Sequence, residues 1–198
     1  MTNKVKVPDN VLSKVYQSVD NDWHQHVNGE GWVYKTAKVA NSVYLHPTSI
    51  VHGNAQVSGD VWVSGNARVS GNAQVSGDAR VSGNAQVSGN AQVSGDAWVS
   101  GNAQVFGNAR VSSNARVSGD AWNFSPPYIQ GSKHSLTLCS LTQIAIGCHV
   151  HDIAEWIEKY KAIGRLEHYS KEQIAEYGRH IKYLAAIAKR LQKETKSV

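Results

Sequence analysis

At 198 residues with a net charge of +5, the chain has room for one repetitive domain and a small cap at each end. No apolar run approaches the roughly 18 residues a membrane-spanning helix needs, and the first eight residues, Met-Thr-Asn-Lys-Val-Lys-Val-Pro, lack the apolar core of a signal peptide. Two cysteines, Cys139 and Cys148, build no disulfide framework, so a reducing cytoplasm is the expected location.

Residues 1–34 read as an N-terminal cap. Pro8-Asp9-Asn10 followed by Val11, Leu12, Val15, Tyr16 and Val19 has the spacing of a short amphipathic helix. Trp23 to Tyr34 reads as extended chain, with a turn at Asn28-Gly29-Glu30-Gly31.

Residues 35–124 form a repeat domain. Fifteen hexapeptides run in register from Ala37 to Ala121, with the unit Gly-Asn-Ala-Gln-Val-Ser, as in Gly53 to Ser58. A small residue falls at every sixth position, with Val43 and Val61 the largest, and a branched apolar residue two places later, from Val39 to Val117. In Ala55-Gln56-Val57 the outer two share one face and Gln56 takes the other, which is strand alternation over a very short strand. Ser58-Gly59-Asp60 supplies a corner, because Gly accepts positive φ and Asp bonds nearby backbone. One strand and one corner per hexad gives a three-sided prism with eighteen residues per coil. Self-similarity at a fixed period is the signature of a solenoid.

The eighteen-residue coil has independent support. Asp60, Asp78 and Asp96 are eighteen apart, and the outward residues of the same hexads read Tyr44, Trp62, Arg80, Trp98 and Arg116. Stacked coils place these about 4.8 Å apart, as one ladder of aromatics and arginines. The other two faces are mostly glutamine: Gln56, Gln74 and Gln92 on one, Gln86 and Gln104 on the other.

Val57-Ser58-Gly59-Asp60-Val61-Trp62 resembles the hexapeptide-repeat family: aliphatic, small, two free positions, small, free. The resemblance covers about 85 residues. It implies a mainly β fold, a left-handed parallel β-helix of about five coils, assembled as a homotrimer. The hand comes from the resemblance, since the general rule for parallel crossovers is right-handed.

Residues 125–198 read as a C-terminal cap. Ser125-Pro126-Pro127 ends the repeat; Ser135 to Cys139 and Gln143 to Cys148 alternate as two strands of a hairpin. Asp152-Ile153-Ala154-Glu155 has capping-box form and opens a helix to about Ile163, closed by Gly164. Ser170 with Gln173 opens a second helix to about residue 192, with Ile174, Tyr177, Ile181, Leu184, Ala188 and Leu191 in a 3-4 seam. That seam suits either packing on the hairpin or trimerisation. This cap carries 11 basic and 7 acidic residues, which favours an anionic partner. The stretch Ile146 to Trp156 resembles the tail that follows hexapeptide repeats in phage and prophage proteins, a resemblance that brings no catalytic residues with it.

The chemistry follows from what is present. Hexapeptide acyltransferases use a histidine base and a loop that interrupts the coils. Here the coils run without insertion, and His46 and His52 lie on different faces of the first coils, where surface positions explain them. A zinc site of the γ-type carbonic anhydrase kind needs three histidines across a subunit interface, and coils three to five contain none. Cys139, Cys148, His149 and His151 are too irregularly spaced for a common zinc motif. No catalytic residue, cofactor or metal is therefore assigned.

The expected function is a non-enzymatic binding protein of phage or prophage type. Its ligand is an anionic small molecule such as a cyclic nucleotide immune signal, or a host defence protein, in the host cytoplasm. An acyltransferase-like enzyme and a structural spacer are the alternatives. Candidate ligand-binding or trimer-interface residues are Trp62, Arg80, Trp98 and Arg116 on the ladder, with Trp156, Tyr177, Arg179 and Lys182 in the cap.

Overall fold

The computed structural model describes residues 22–119, 121–122 and 125–195. The helix expected over Pro8 to Val19 lies outside these residues. Three flat walls enclose the coils, each a sheet whose coil-to-coil pairs are parallel. The first wall stacks β2 (Trp32–Tyr34), β5 (Ile50–Val51), β8 (Arg68–Val69), β11 (Gln86–Val87), β14 (Gln104–Val105) and β17 (Ala121–Trp122); β1 (Trp23–Gln25) joins its end antiparallel to β2. The second stacks β4 (Tyr44–Leu45), β7 (Trp62–Val63), β10 (Arg80–Val81), β13 (Trp98–Ser100) and β16 (Arg116–Ser118). The third stacks β3 (Lys38–Val39), β6 (Gln56–Val57), β9 (Gln74–Val75), β12 (Gln92–Val93) and β15 (Arg110–Val111).

The register is the eighteen-residue coil read from the repeat. Arg80 pairs with Trp62 on one side and Trp98 on the other, and Gln92 pairs with Gln74 and Arg110. Inside, every valine from Val57 to Val117 and every alanine from Ala55 to Ala115 is at most 3% exposed. The small and branched positions thus fill the prism by stacking on copies of themselves.

The corners differ. Asn54, Asn72, Asn90 and Asn108 form one amide ladder, each Nδ2 donating to the next Oδ1 at 3.1–3.4 Å. Asn66, Asn84 and Asn102 form a second at 3.0–3.2 Å. The corner between the third and second walls carries Asp60, Asp78 and Asp96 instead, and a carboxylate cannot donate to the next rung.

Both ends depart from the plain repeat. Trp32 and Val33 pair with Ile50 and Val51, so the first coil begins inside the segment read as an N-terminal cap. The β1–β2 hairpin supplies Trp23, which packs with Trp32 over Ile50. At the other end Trp122 pairs with Val105, seventeen residues away rather than eighteen. The repeat puts Ala121 at a small inward position and Trp122 outward; the lost residue turns the Trp122 indole inward, fully buried. It fills the prism where no further coil supplies a valine.

The C-terminal cap is a four-stranded antiparallel sheet, β18 (Tyr128–Gln130), β19 (Ser135–Leu138), β20 (Gln143–Ile146) and β21 (His149–Asp152), under α1 (Ile153–Leu166) and α2 (Lys171–Thr195). The expected hairpin is β19–β20; its two flanking strands were not read. The cap engages the last coil: Ser118 N–H donates to Cys139 O at 2.8 Å, Arg116 N–H to Thr137 Oγ1 at 3.3 Å, and Arg110 N–H to Ser125 Oγ at 3.1 Å. Covering these edges removes a template for strand addition.

The two helices test two caps. Ser170 and Gln173 make the reciprocal capping box, with bonds of 2.9 and 3.2 Å. Asp152 does not cap α1 with its side chain; its Oδ1 accepts from Gln143 Nε2 at 3.2 Å. Nor does Gly164 close that helix. It is buried within α1, where a Cβ would meet Ile174 Cγ1 at 2.9 Å, so it lets α2 approach. The chain turns afterwards at His168, which has φ 56°. The 3-4 seam of α2 is used by its own cap: Tyr177, Ile181, Leu184, Ala188 and Leu191 are all buried in the core cluster. No helix among the described residues is long and apolar enough to cross a membrane.

Candidate ligand-binding face

The second wall carries the ladder. Short strands with one inward valine leave one outward side chain per rung, and the register stacks Tyr44, Trp62, Arg80, Trp98 and Arg116. Tyr44 stacks on Trp62 with ring centroids 4.0 Å apart. The Arg116 guanidinium lies over the Trp98 ring, 5.4 Å from its centroid, a contact worth about 0.5–1 kcal/mol when exposed. Trp98 Nε1 donates to Ser82 Oγ at 3.2 Å, which fixes the indole. Arg80 N–H donates to Ala97 O at 2.8 Å, and its guanidinium makes no hydrogen bond, ion pair or ring contact among the described residues.

The ladder's far end meets the cap in a groove of about 520 Å³, lined by Asp78, Arg80, Asp96, Trp98, Asn114, Arg116, Gln130, Lys133, His134, Ser135 and Gly147. A second notch of about 310 Å³ lies beside it, between Trp62 and Trp98 over Ser64, Arg80 and Ser82. Arg80 and Trp98 wall both. Each volume falls in the roughly 300–1,000 Å³ range of small-molecule sites.

The cap wall of the groove is held rigidly. Glu176 accepts from Ser132 Oγ at 2.5 Å and from Ser132 N–H at 2.9 Å, and these bonds hold its carboxyl below the usual carboxylate value. Tyr177 Oη accepts from Lys133 N–H at 3.0 Å and from His134 N–H, and donates to His134 O at 2.7 Å. Lys133 Nζ donates to Glu167 O at 2.6 Å and sits 4.6 Å from the centre of the Tyr169 ring. Burial, and then Tyr177, push the Tyr169 phenol well above its ordinary value.

The structure separates the eight sequence candidates. Arg80, Trp98 and Arg116 line the groove, and Trp62 the notch. Trp156 and Tyr177 are not surface groups: each is 3% exposed, because the cap folds its helices over its sheet. Trp156 Nε1 donates to Ile144 O at 2.7 Å. Tyr177 serves the site indirectly, through the loop it pins. Arg179 and Lys182 are exposed on α2 and line neither cavity. Nothing in the sequence shows which cap loop meets the ladder, so Lys133, His134 and Gln130 emerge as site residues only from the fold. Asp78 and Asp96 were visible as the eighteen-residue marker, yet their place beside Arg80 and Trp98 needs the coil.

The other polar candidates are engaged elsewhere. His149 pairs with Glu167 at 3.0 Å, and His151 with Glu155 at 3.1 Å. Cys139 is buried, which pushes its thiol up, whereas Cys148 is exposed. No three His, Cys, Asp or Glu side chains are grouped as a metal would need among the described residues. His46 Nδ1 lies 2.9 Å from Thr48 Oγ1, and His52 sits half-buried near Trp23.

Residues 55–119 match the family model described as YdcK beta solenoid repeat. The match falls in six overlapping stretches, 55–71, 62–77, 73–89, 85–101, 91–105 and 103–119. It covers the coils that carry Trp62, Arg80, Trp98 and Arg116, and it ends before the cap. No curated protein and no solved structure matches the chain.

Proposed function

We propose that the chain is a non-catalytic binding protein that sequesters an anionic ligand bearing an aromatic ring, a nucleotide-type molecule, on the Trp/Arg wall where it meets the cap. The observation that carries this is the pair of arginines, Arg80 and Arg116, on either side of Trp98 at the groove. Guanidinium groups hold phosphate, and indole faces stack bases. Asp78, Asp96 and Gln130 add acceptors for hydroxyl or amino groups. Rungs at the eighteen-residue offset run from Lys38 to Val117 without an interrupting loop. That supports binding over acyl transfer, whose acceptor site is built on such a loop in the hexapeptide family. The resemblances of repeat and tail support a homotrimer of phage or prophage origin, acting in a host cytoplasm on a nucleotide immune signal.

The test is to incubate the chain with cyclic and ADP-ribose-derived nucleotides, filter, denature and recover. Depletion of a nucleotide and its return unchanged is the expected result, weakened by salt and by Arg80→Gln with Arg116→Gln. No depletion by folded protein would move the reading to a protein partner or a spacer. A hydrolysed product would make the chain an enzyme. Light scattering at micromolar concentration checks the trimer.

A further inference from the structure

The chain has six tryptophans. Trp23, Trp32, Trp122 and Trp156 are at most 8% exposed; Trp62 and Trp98 are 49% and 38% exposed. These two stand on one wall, two rungs apart, a separation of about 9.6 Å at the strand spacing. Trp62 stacks on Tyr44 along the ladder, and Trp98 Nε1–H reaches back one coil to Ser82 Oγ at 3.2 Å. Tyr44 covers the face of Trp62 turned away from Trp98, and the Arg116 guanidinium covers the face of Trp98 turned away from Trp62. Between them lies the notch of about 310 Å³, lined also by Arg80, whose guanidinium makes no hydrogen bond, ion pair or ring contact among the described residues.

We infer that this notch is a slot for one planar heteroaromatic ring, inserted between Trp62 and Trp98 with an acceptor edge toward Arg80 and its anionic group in the adjoining groove. The inference rests on the binding reading above and specifies its ligand. Two indole faces separated by two rungs leave room for a ring between them. The guanidinium has donors only, so it matches the O6 and N7 acceptors of guanine and opposes the amino group of adenine. A single slot also selects a mononucleotide. A nucleic-acid strand needs a continuing row of stacking platforms, whereas here Tyr44 closes one side and Arg116 with the cap closes the other.

The experiment titrates the full chain with GMP, AMP, guanosine and ribose 5-phosphate, reading tryptophan fluorescence and calorimetry. GMP is expected to quench the exposed tryptophans and to bind at least tenfold tighter than AMP, guanosine or ribose 5-phosphate. Trp62→Ala should weaken GMP at least tenfold and leave ribose 5-phosphate unchanged, and Trp62→Phe should restore most of the loss. Arg80→Lys, which keeps the charge and loses the planar fork, should bring GMP and AMP within threefold. Ribose 5-phosphate binding within threefold of GMP in the parent protein would overturn the slot and leave the anion-binding reading standing. Tighter binding of an oligo-dG strand than of GMP, by tenfold or more, would overturn the single-ring geometry. Binding of none of these compounds, nor of any nucleotide in the sequestration panel, would remove both readings.

Discussion

Gly89→Ala, set against Gly119→Ala, separates two reasons why the corners are glycine. Gly89 has φ 67°, and a Cβ there would lie 2.9 Å from Gly107 N and 3.2 Å from Gly107 O of the next coil. Gly119 has φ 62° and no atom of the described residues within 4 Å of the same position. Both substitutions incur the left-handed backbone, about 1–3 kcal/mol. Only the first must also push apart two stacked coils, an overpacking cost of about 1–3 kcal/mol. The expected loss is therefore about 2–6 kcal/mol for Gly89→Ala and about 1–3 kcal/mol for Gly119→Ala, with Gly89→Ala the larger of the two. The chain has made this comparison once itself: Ser113 occupies the corner stacked on Gly95, in the last coil, with φ 58°. Urea unfolding followed by circular dichroism measures the difference. Equal losses for the two variants would show that backbone conformation alone, and not the neighbouring coil, demands glycine.

Other perturbations test other levels. Val87→Asp buries a charge at a position with no exposure and should lose several kcal/mol, about 3–5, whereas Gln86→Glu on the outside should stay within about 0.5 kcal/mol; thermal melts compare them. Tyr177→Phe removes the hydroxyl that holds Lys133 and His134 and should cost about 1–3 kcal/mol, while lowering affinity at the groove more than Arg179→Ala does. Burial, and then Arg68, hold the His52 imidazole below its ordinary value. The unfolded chain therefore takes up its proton first, and stability falls as pH drops below about 6.5; His52→Gln should flatten the melting temperature between pH 7 and 5. Acetyl-CoA at millimolar concentration should leave the melting temperature unchanged, since a bound ligand would raise it by RT ln(1 + [L]/Kd).

The solenoid was legible because each hexad repeats the same physical problem. Val57, Val75 and Val93 stack as one column through successive coils, and the Asp60, Asp78, Asp96 spacing gives the coil length without coordinates. Where the period breaks, local sequence loses that support. Trp122 reads as outward by counting, yet one missing residue turns it into the plug. Gly164 reads as a helix stop by type, yet Ile174 of α2 crosses over it. The ladder half of the site followed from periodicity, and the cap half did not: Lys133 and His134 reach the groove through tertiary packing by Tyr177 and Glu176, from about 43 residues away.

The repeat also explains why any function must gather where it does. From Ala55 to Val117 stacking confines the inward positions to alanine and valine, and most corners are confined by the coil above. The outward residue of each rung is left free to vary, and on the third wall it stays glutamine at Gln56, Gln74 and Gln92. Three separate departures from the unit fall together instead. The outward residues become Trp62, Arg80, Trp98 and Arg116 on one wall; the corner beside that wall changes from asparagine to aspartate; and the cap loop at Lys133 and His134 is pinned against the same wall. The first two add nothing to the buried interior, since Asp78 forfeits an amide ladder and Trp62 stands half in solvent. Their convergence around Arg80 and Trp98, which wall both the groove and the notch, is the observation on which the proposed binding function rests, and the nucleotide-recovery assay decides between it and a spacer.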